Sequence, residues 1–260
     1  MSNYIKDGLL YCGKCNTPKQ CRITLLGTER IQQCLCDCER ARIEKERIED
    51  QKKDRLYRIR NLKRLGFPDA EMMEWTFDKD DCSNEKISKV ARNYVSNFNS
   101  MLKTGKGLLF YGNVGTGKTY ISACIANALI EEGHPCLVTN FQRLINKLSG
   151  MFEGKQEFID SLNKFELIVI DDLASERDSD FVAGFVNEII DARYRSGKPI
   201  IITTNLTSEE LKTPSDVRKE RIFSRLLEMC IPVEVSGKDR RKEKLKQDYK
   251  EMKNLLGLGS

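Results

Sequence analysis

No apolar run in the 260-residue sequence approaches the roughly 20 residues that a bilayer-spanning helix requires, so no membrane-spanning helix is expected. The opening stretch MSNYIKDGLLYCGKC lacks the basic end, apolar centre and small-residue cleavage site of a secretory leader, so a cytoplasmic protein is expected. Histidine is nearly absent, His134 being the sole one, so a zinc site among the N-terminal cysteines has no histidine in reach. Charge is not strongly one-sided either. A net +5 on a chain of this size does not by itself predict nucleic-acid binding, and local charge matters more.

Cysteine is plentiful and unevenly placed. Six of ten fall in the first 38 residues, at positions 12, 15, 21, 34, 36 and 38, while Cys82, Cys124, Cys136 and Cys230 are scattered and read as small buried residues. In a reducing compartment clustered cysteines hold metal more often than they pair as disulfides. The spacing C-x2-C followed by C-x-C-x-C suits tetrahedral Zn2+, which needs four thiolates; Cys12, Cys15, Cys36 and Cys38 are the chosen set, with Cys34 able to replace one of the last two.

The sequence divides into three parts. Residues 1–38 form a cysteine-rich zinc module too small to build its own core. Residues 39–65 contain no Gly or Pro and carry strong helix formers, with 11 Lys/Arg against 6 Asp/Glu between Glu39 and Arg64. This predicts a charged helical linker whose sparse apolar series is Ile43, Ile48, Leu56, Ile59 and Leu62. GFPD at 66–69 breaks it, and the large domain follows, 66–260. There GLLFYG, CLVTNF, FELIVIDD, PIIITTN and IPVEV read as strands, and several are apolar throughout, as strands buried on both faces are. YISACIANALIEEG, with Ile121, Ile125 and Leu129 on one face, and DFVAGFVNEIIDARYRSG, carrying Phe181, Phe185, Ile189 and Tyr194, read as helices, and Thr207 with Glu210 offers a capping box to start another. Strands alternating with helices imply an α/β fold with a parallel sheet covered on both sides.

GNVGTGKT, Gly112 to Thr119, follows a strand and opens a helix, the context in which this spacing marks a phosphate-binding loop. Backbone N–H groups from Gly112, Asn113, Val114, Gly115, Thr116 and Gly117 would line a nest for phosphates, and Lys118 would reach the β- and γ-phosphates. Thr119 would place its hydroxyl on Mg2+. LIVIDD supplies Asp171 for the Mg2+ shell and Asp172 to orient an attacking water. Asn205, at the end of IITTN, is a candidate for polarising that water or sensing the γ-phosphate. Arg221 and Arg225 lie four residues apart on one helical face, and in an oligomeric ATPase such an arginine can enter a neighbouring subunit's site.

Taken together, TFDKDD, GLLFYGNVGTGKTYISACIANAL, LIVIDDLASE, ARYRSGKPIIITTNL and RIFSRL resemble, in this order, the replicative helicase loaders of the DnaC/DnaI type and the related IstB-like transposition ATPases, over residues 62 to about 241. The resemblance implies a P-loop AAA+ (ASCE) fold in which ATP controls assembly on a replicative helicase hexamer and on single-stranded DNA, with self-association through the AAA+ domain. It also implies that Gly112–Thr119 is the Walker A loop, Asp171 and Asp172 the Walker B pair, Asn205 sensor 1, Arg225 the arginine finger with Arg221 beside it, and Arg241 rather than Arg240 sensor 2. The cysteine-bearing end and the linker resemble the helicase-binding end of such loaders. Ala174 stands where these loaders commonly carry Gly, and the tail after Arg241 leaves little room for a helical lid.

The alternatives are a transposase helper acting on duplex DNA, a catalytically silent adaptor, and a small-molecule kinase. The last lacks an evident acceptor-binding lid.

Overall fold

The computed structural model describes residues 2–25, 27–81, 84–173, 180–214 and 217–256. Cys82, Ala174 and the side chain of Phe181 lie outside the described residues. The chain folds as two compact units, Met1–Arg58 and Ile59–Ser260.

The first unit is built from two hairpins and most of a long helix. β1 (Tyr4–Lys6) pairs antiparallel with β2 (Leu9–Tyr11) through a two-residue turn in which Asp7 and Gly8 both take positive φ, the conformation an Asp-Gly turn accommodates. β3 (Gln20–Leu25) and β4 (Thr28–Gln33) form the second hairpin. α1 (Asp37–Gly66) begins within the predicted zinc module and passes through the whole of the predicted linker. Its apolar series splits by position: Ile43, Ile48 and Leu56 are exposed, whereas Ile59 is buried and belongs to the core of the second unit. α1 stops where Gly66 meets the sheet. A Cβ at Gly66 would lie 2.3 Å from the Cys136 carbonyl oxygen, so only glycine permits this approach.

The second unit holds β5 (Gly107–Tyr111), β6 (Cys136–Asn140), β7 (Leu167–Leu173), β8 (Ile200–Thr204) and β9 (Cys230–Glu234) in one parallel sheet, ordered β6-β7-β8-β5-β9. Successive residues face opposite layers, and both layers are apolar. Leu109, Ile168, Ile170, Ile200 and Ile202 pack against α5 (Phe141–Ser149), α6 (Lys155–Leu162), α7 (Asp180–Ser196) and α9 (Val217–Met229). Leu108, Phe110, Leu167, Val169 and Ile201 pack against α2 (Glu85–Ser96), α3 (Phe98–Thr104) and α4 (Lys118–Glu132). Strands buried on both faces read as continuous apolar runs, which is why the sequence shows them so clearly. The predicted capping box at Thr207 and Glu210 starts α8 (Ser208–Lys212). Cys124, Cys136 and Cys230 are buried. The tail beyond Asp239 forms a single helix, α10 (Arg240–Leu255).

Among the described residues Arg193 of α7 is the largest fully buried side chain, and its guanidinium donates to the carbonyls of Phe165, Glu166 and Pro199 at 2.7–3.2 Å. It joins the segments that lead into β7 and β8. Burial lowers its pKa to about 10.

Candidate nucleotide site and cysteine cluster

The strand order positions the site. β8 lies between β5, which leads into the phosphate loop, and β7, which carries the aspartates, so residues at the end of β8 stand between the two motifs. Gly117 takes φ 94°, a left-handed conformation that L side chains rarely adopt, and immediately afterwards α4 begins at Lys118. The N-terminal end of α4 thereby faces the loop with its unpaired N–H groups, the arrangement that attracts phosphate.

β7 is irregular where it matters. Ile170 pairs with Ile202 and Leu173 with Thr204, so Asp171 and Asp172 together stand opposite Thr203 in a β-bulge, with Asp172 at φ 65°. The bulge is fastened by side chains. Thr203 donates its hydroxyl to Asp171 Oδ1 at 2.5 Å and accepts the Asp172 N–H at 2.9 Å. Thr119 lies 2.9 and 3.0 Å from the two Asp171 carboxylate oxygens, while Asn205 donates to Asp172 Oδ1 at 3.0 Å. Thr203 was not singled out from the sequence; it reads there as one more β-branched residue of a buried strand.

These residues line a cavity of about 500 Å3 together with the phosphate loop, Trp75, Tyr120, Arg240 and Arg241. Lys118 is buried, and its Nζ donates to the carbonyls of Gly112 and Asn113, each at 2.7 Å. Burial lowers the Lys118 pKa, and burial raises that of Asp171 against the hydrogen bonds from Thr203 and Thr119. Each charge is thus held at a cost. An anion at the loop and a hard divalent cation beside Asp171 would relieve both, and the hydroxyl and carboxylate oxygens of Thr119 and Asp171 fit Mg2+.

Arg240 packs beside Gly117, donates its backbone N–H to Gly115 at 2.9 Å and pairs with Asp81 at 2.9 Å. Asp239 caps α10 by accepting from the N–H groups of Arg241 and Lys242. Arg221 and Arg225 do not line the cavity. Arg221 is exposed on α9, and Arg225 reaches α7, bonding Asp191 at 2.8 Å and Asn187 at 3.0 Å.

In the first unit Cys12, Cys15, Cys36 and Cys38 bring their sulfurs within 4.8 Å of one another. Cys12 and Cys15 sit on a turn closed by Asn16 N–H to Cys12 O and Cys12 N–H to Thr17 O, both 2.9 Å. Cys36 and Cys38 sit at the start of α1, tied to that turn by the Asp37 N–H bonding Thr17 Oγ1 at 2.9 Å. The hydrogen bond with the Thr17 hydroxyl draws the Cys15 pKa down to about 5, whereas the bond with Cys36 pushes Cys38 up to about 12. Four converging thiols match the donor set of structural zinc. Cys21 and Cys34 lie outside the four, with Cys34 donating to the Pro18 carbonyl.

A parallel sheet of this order with a phosphate loop, a bulged aspartate pair and a polar residue on the intervening strand defines an AAA+ P-loop protein. The model of the IstB-like ATP binding protein family matches residues 37–248, and the chain belongs to that family. The replicative helicase loader DnaI of Bacillus subtilis (strain 168) is 22% identical over 212 residues, covering 76% of this chain and 66% of DnaI. The replicative helicase loader DnaC of Escherichia coli (strain K12) is 26% identical over 140 residues, 52% of this chain and 55% of DnaC. The chain thus spans roughly half to two thirds of the lengths of these relatives. Among solved structures, a crystal structure of DnaI superposes with a TM-score of 0.56 at 25% identity, covering 69% of this chain and 98% of that one. A crystal structure of the DnaC helicase loader gives 0.55 at 27% identity, covering 65% and 100%. No helix among the described residues is long and apolar enough to cross a membrane.

Proposed function

We propose that this chain is an ATP-controlled loader that holds a replicative helicase hexamer and delivers it to single-stranded DNA. The observation that carries the reading is the linked set Thr119–Asp171–Thr203–Asp172–Asn205 beside Lys118, in a fold shared with two proteins named as helicase loaders. In this reading Gly112–Thr119 bind the phosphates, with Thr119 and Asp171 holding Mg2+. When bound there, Mg2+ would neutralise phosphate charge. Asp172, oriented by Asn205, positions the attacking water, and hydrolysis is slow, serving as a switch. Arg241, with Arg240 beside it, responds to the γ-phosphate. Arg225 and Arg221 act on the site of a neighbouring subunit when copies assemble; for that Arg225 exchanges its bonds to Asp191 and Asn187 for the phosphate. The four cysteines hold Zn2+ and shape the first unit, which with α1 engages the helicase.

The test is a truncation at the unit boundary. Because Ile59, Gly66 and Phe67 belong to the packing of the second unit, the cut falls after Arg58 and not after residue 65. Residues 59–260 are expected to bind ATP and to lose the helicase; a truncated protein that keeps full helicase affinity contradicts the assignment. The family match favours one second reading, an IstB-like helper ATPase of a transposase. It predicts preference for duplex over single-stranded DNA and a transposase gene beside this one.

A further inference from the structure

The phosphate loop and the aspartate bulge account for most of the lining of the nucleotide cavity, and that lining is polar. Among the described residues that line the cavity, Trp75 and Tyr120 supply the only aromatic rings, their centroids 5.6 Å apart and inclined at 40°. Tyr120 follows Thr119 directly, so this pair sits one residue beyond the hydroxyl assigned to the cation.

Trp75 belongs to the irregular segment between α1 and α2, just after a 3-10 turn over Glu71–Glu74. Such a segment does not fix a ring by itself. Here it is fastened to α4, the helix that the phosphate loop opens. Asn127 donates its side-chain amide to the carbonyls of both Met72 and Trp75 at 2.8 Å, and two turns earlier on the same helix Tyr120 donates its hydroxyl to the Thr76 carbonyl at 3.1 Å. Asn127 is only 1% exposed, and its Oδ1 has no hydrogen-bond partner. A buried amide with an orphaned carbonyl is a net cost to the fold, while its two donor bonds both go to the backbone that carries Trp75. The rings are thereby held in register with the phosphate loop.

We propose that Trp75 is the platform on which the base of the bound nucleotide stacks, that Asn127 is its positioning residue, and that the site consequently prefers purine to pyrimidine nucleotides. This rests on the nucleotide-binding reading above. Stacking strength grows with the area of the base, and a loop fastened at three points loses little freedom on binding.

Trp75 is the sole tryptophan of the chain, so its emission reports this position alone. The full-length protein is titrated, with Mg2+ present, with ATP, CTP and inorganic tripolyphosphate, and binding is measured independently by calorimetry. ATP is expected to quench Trp75 saturably, whereas tripolyphosphate binds without that change. Trp75→Ala is expected to weaken ATP about tenfold and to leave tripolyphosphate affinity unchanged, with Trp75→Phe restoring most of the loss. Asn127→Leu, checked for folding by its melting curve, is expected to shift Trp75 emission and weaken ATP without weakening tripolyphosphate. Equal quenching by ATP and tripolyphosphate, or a Trp75→Ala protein that still discriminates ATP from CTP as the native one does, overturns the proposal. Failure of Lys118→Ala to weaken tripolyphosphate overturns the nucleotide site itself, and the stacking platform with it.

Discussion

Asp171 shows how a residue can be poorly solvated for the fold and well placed for a ligand. Burial raises its pKa, so in the absence of a cation the ionised carboxylate opposes folding above its own pKa. The sign follows: raising pH through that pKa removes stability from the nucleotide-free protein. Asp171→Asn keeps an oxygen for Thr119 and Thr203 and removes the charge. It is expected to raise the melting temperature of the nucleotide-free protein by a few degrees, on the order of 1 kcal/mol, and to reduce the extra stabilisation by Mg2+ and ATP. Thermal melts with and without ligand read both effects. Thr203→Val keeps the shape of the strand and deletes the hydroxyl that joins Asp171 to the Asp172 backbone. ATP hydrolysis should fall about tenfold with little change in Mg2+-free nucleotide binding, as measured by phosphate release and by titration. The aspartates were legible in LIVIDD because two adjacent carboxylates ending a buried apolar run have no ordinary reason to be there. Thr203 was not legible, because its role arises from a β-bulge on the neighbouring strand, and no spacing in IITTN encodes it.

At the scale of elements, the five strands of the parallel sheet could be read because burial on both faces makes each an apolar run. α2, α5 and α6 were passed over: no glycine-rich loop or acidic motif drew attention to them, and their start signals, such as Asn84 capping α2 and Asn140 capping α5, are single residues. The hairpins of the first unit escaped for a different reason. β3 and β4 are short and largely exposed, without a clean apolar alternation. Two side chains hold the elements in ways that mutation can test. Arg193→Met leaves the carbonyls of Phe165, Glu166 and Pro199 without this donor and should cost on the order of 3 kcal/mol in denaturant unfolding. Gly66→Ala forces a methyl against the Cys136 carbonyl and should cost about 2 kcal/mol, with the end of α1 losing amide protection first.

For the whole molecule two separable activities are expected, one in each unit. Chelation of zinc is expected to unfold Met1–Arg58, whose hairpins bury little, and to leave ATP binding by Ile59–Ser260 intact; circular dichroism and nucleotide titration on one sample report both. The central claim is that the nucleotide governs attachment to a helicase ring. The most direct measurement is mass photometry of the full chain mixed with the replicative helicase of its source organism, with and without ATP, using native protein and Lys118→Ala. A defined complex of several copies on the hexamer, whose formation or release depends on ATP and is insensitive to ATP in Lys118→Ala, is the predicted result. Absence of any complex under every nucleotide condition would contradict the loader and direct attention to duplex DNA and a transposase.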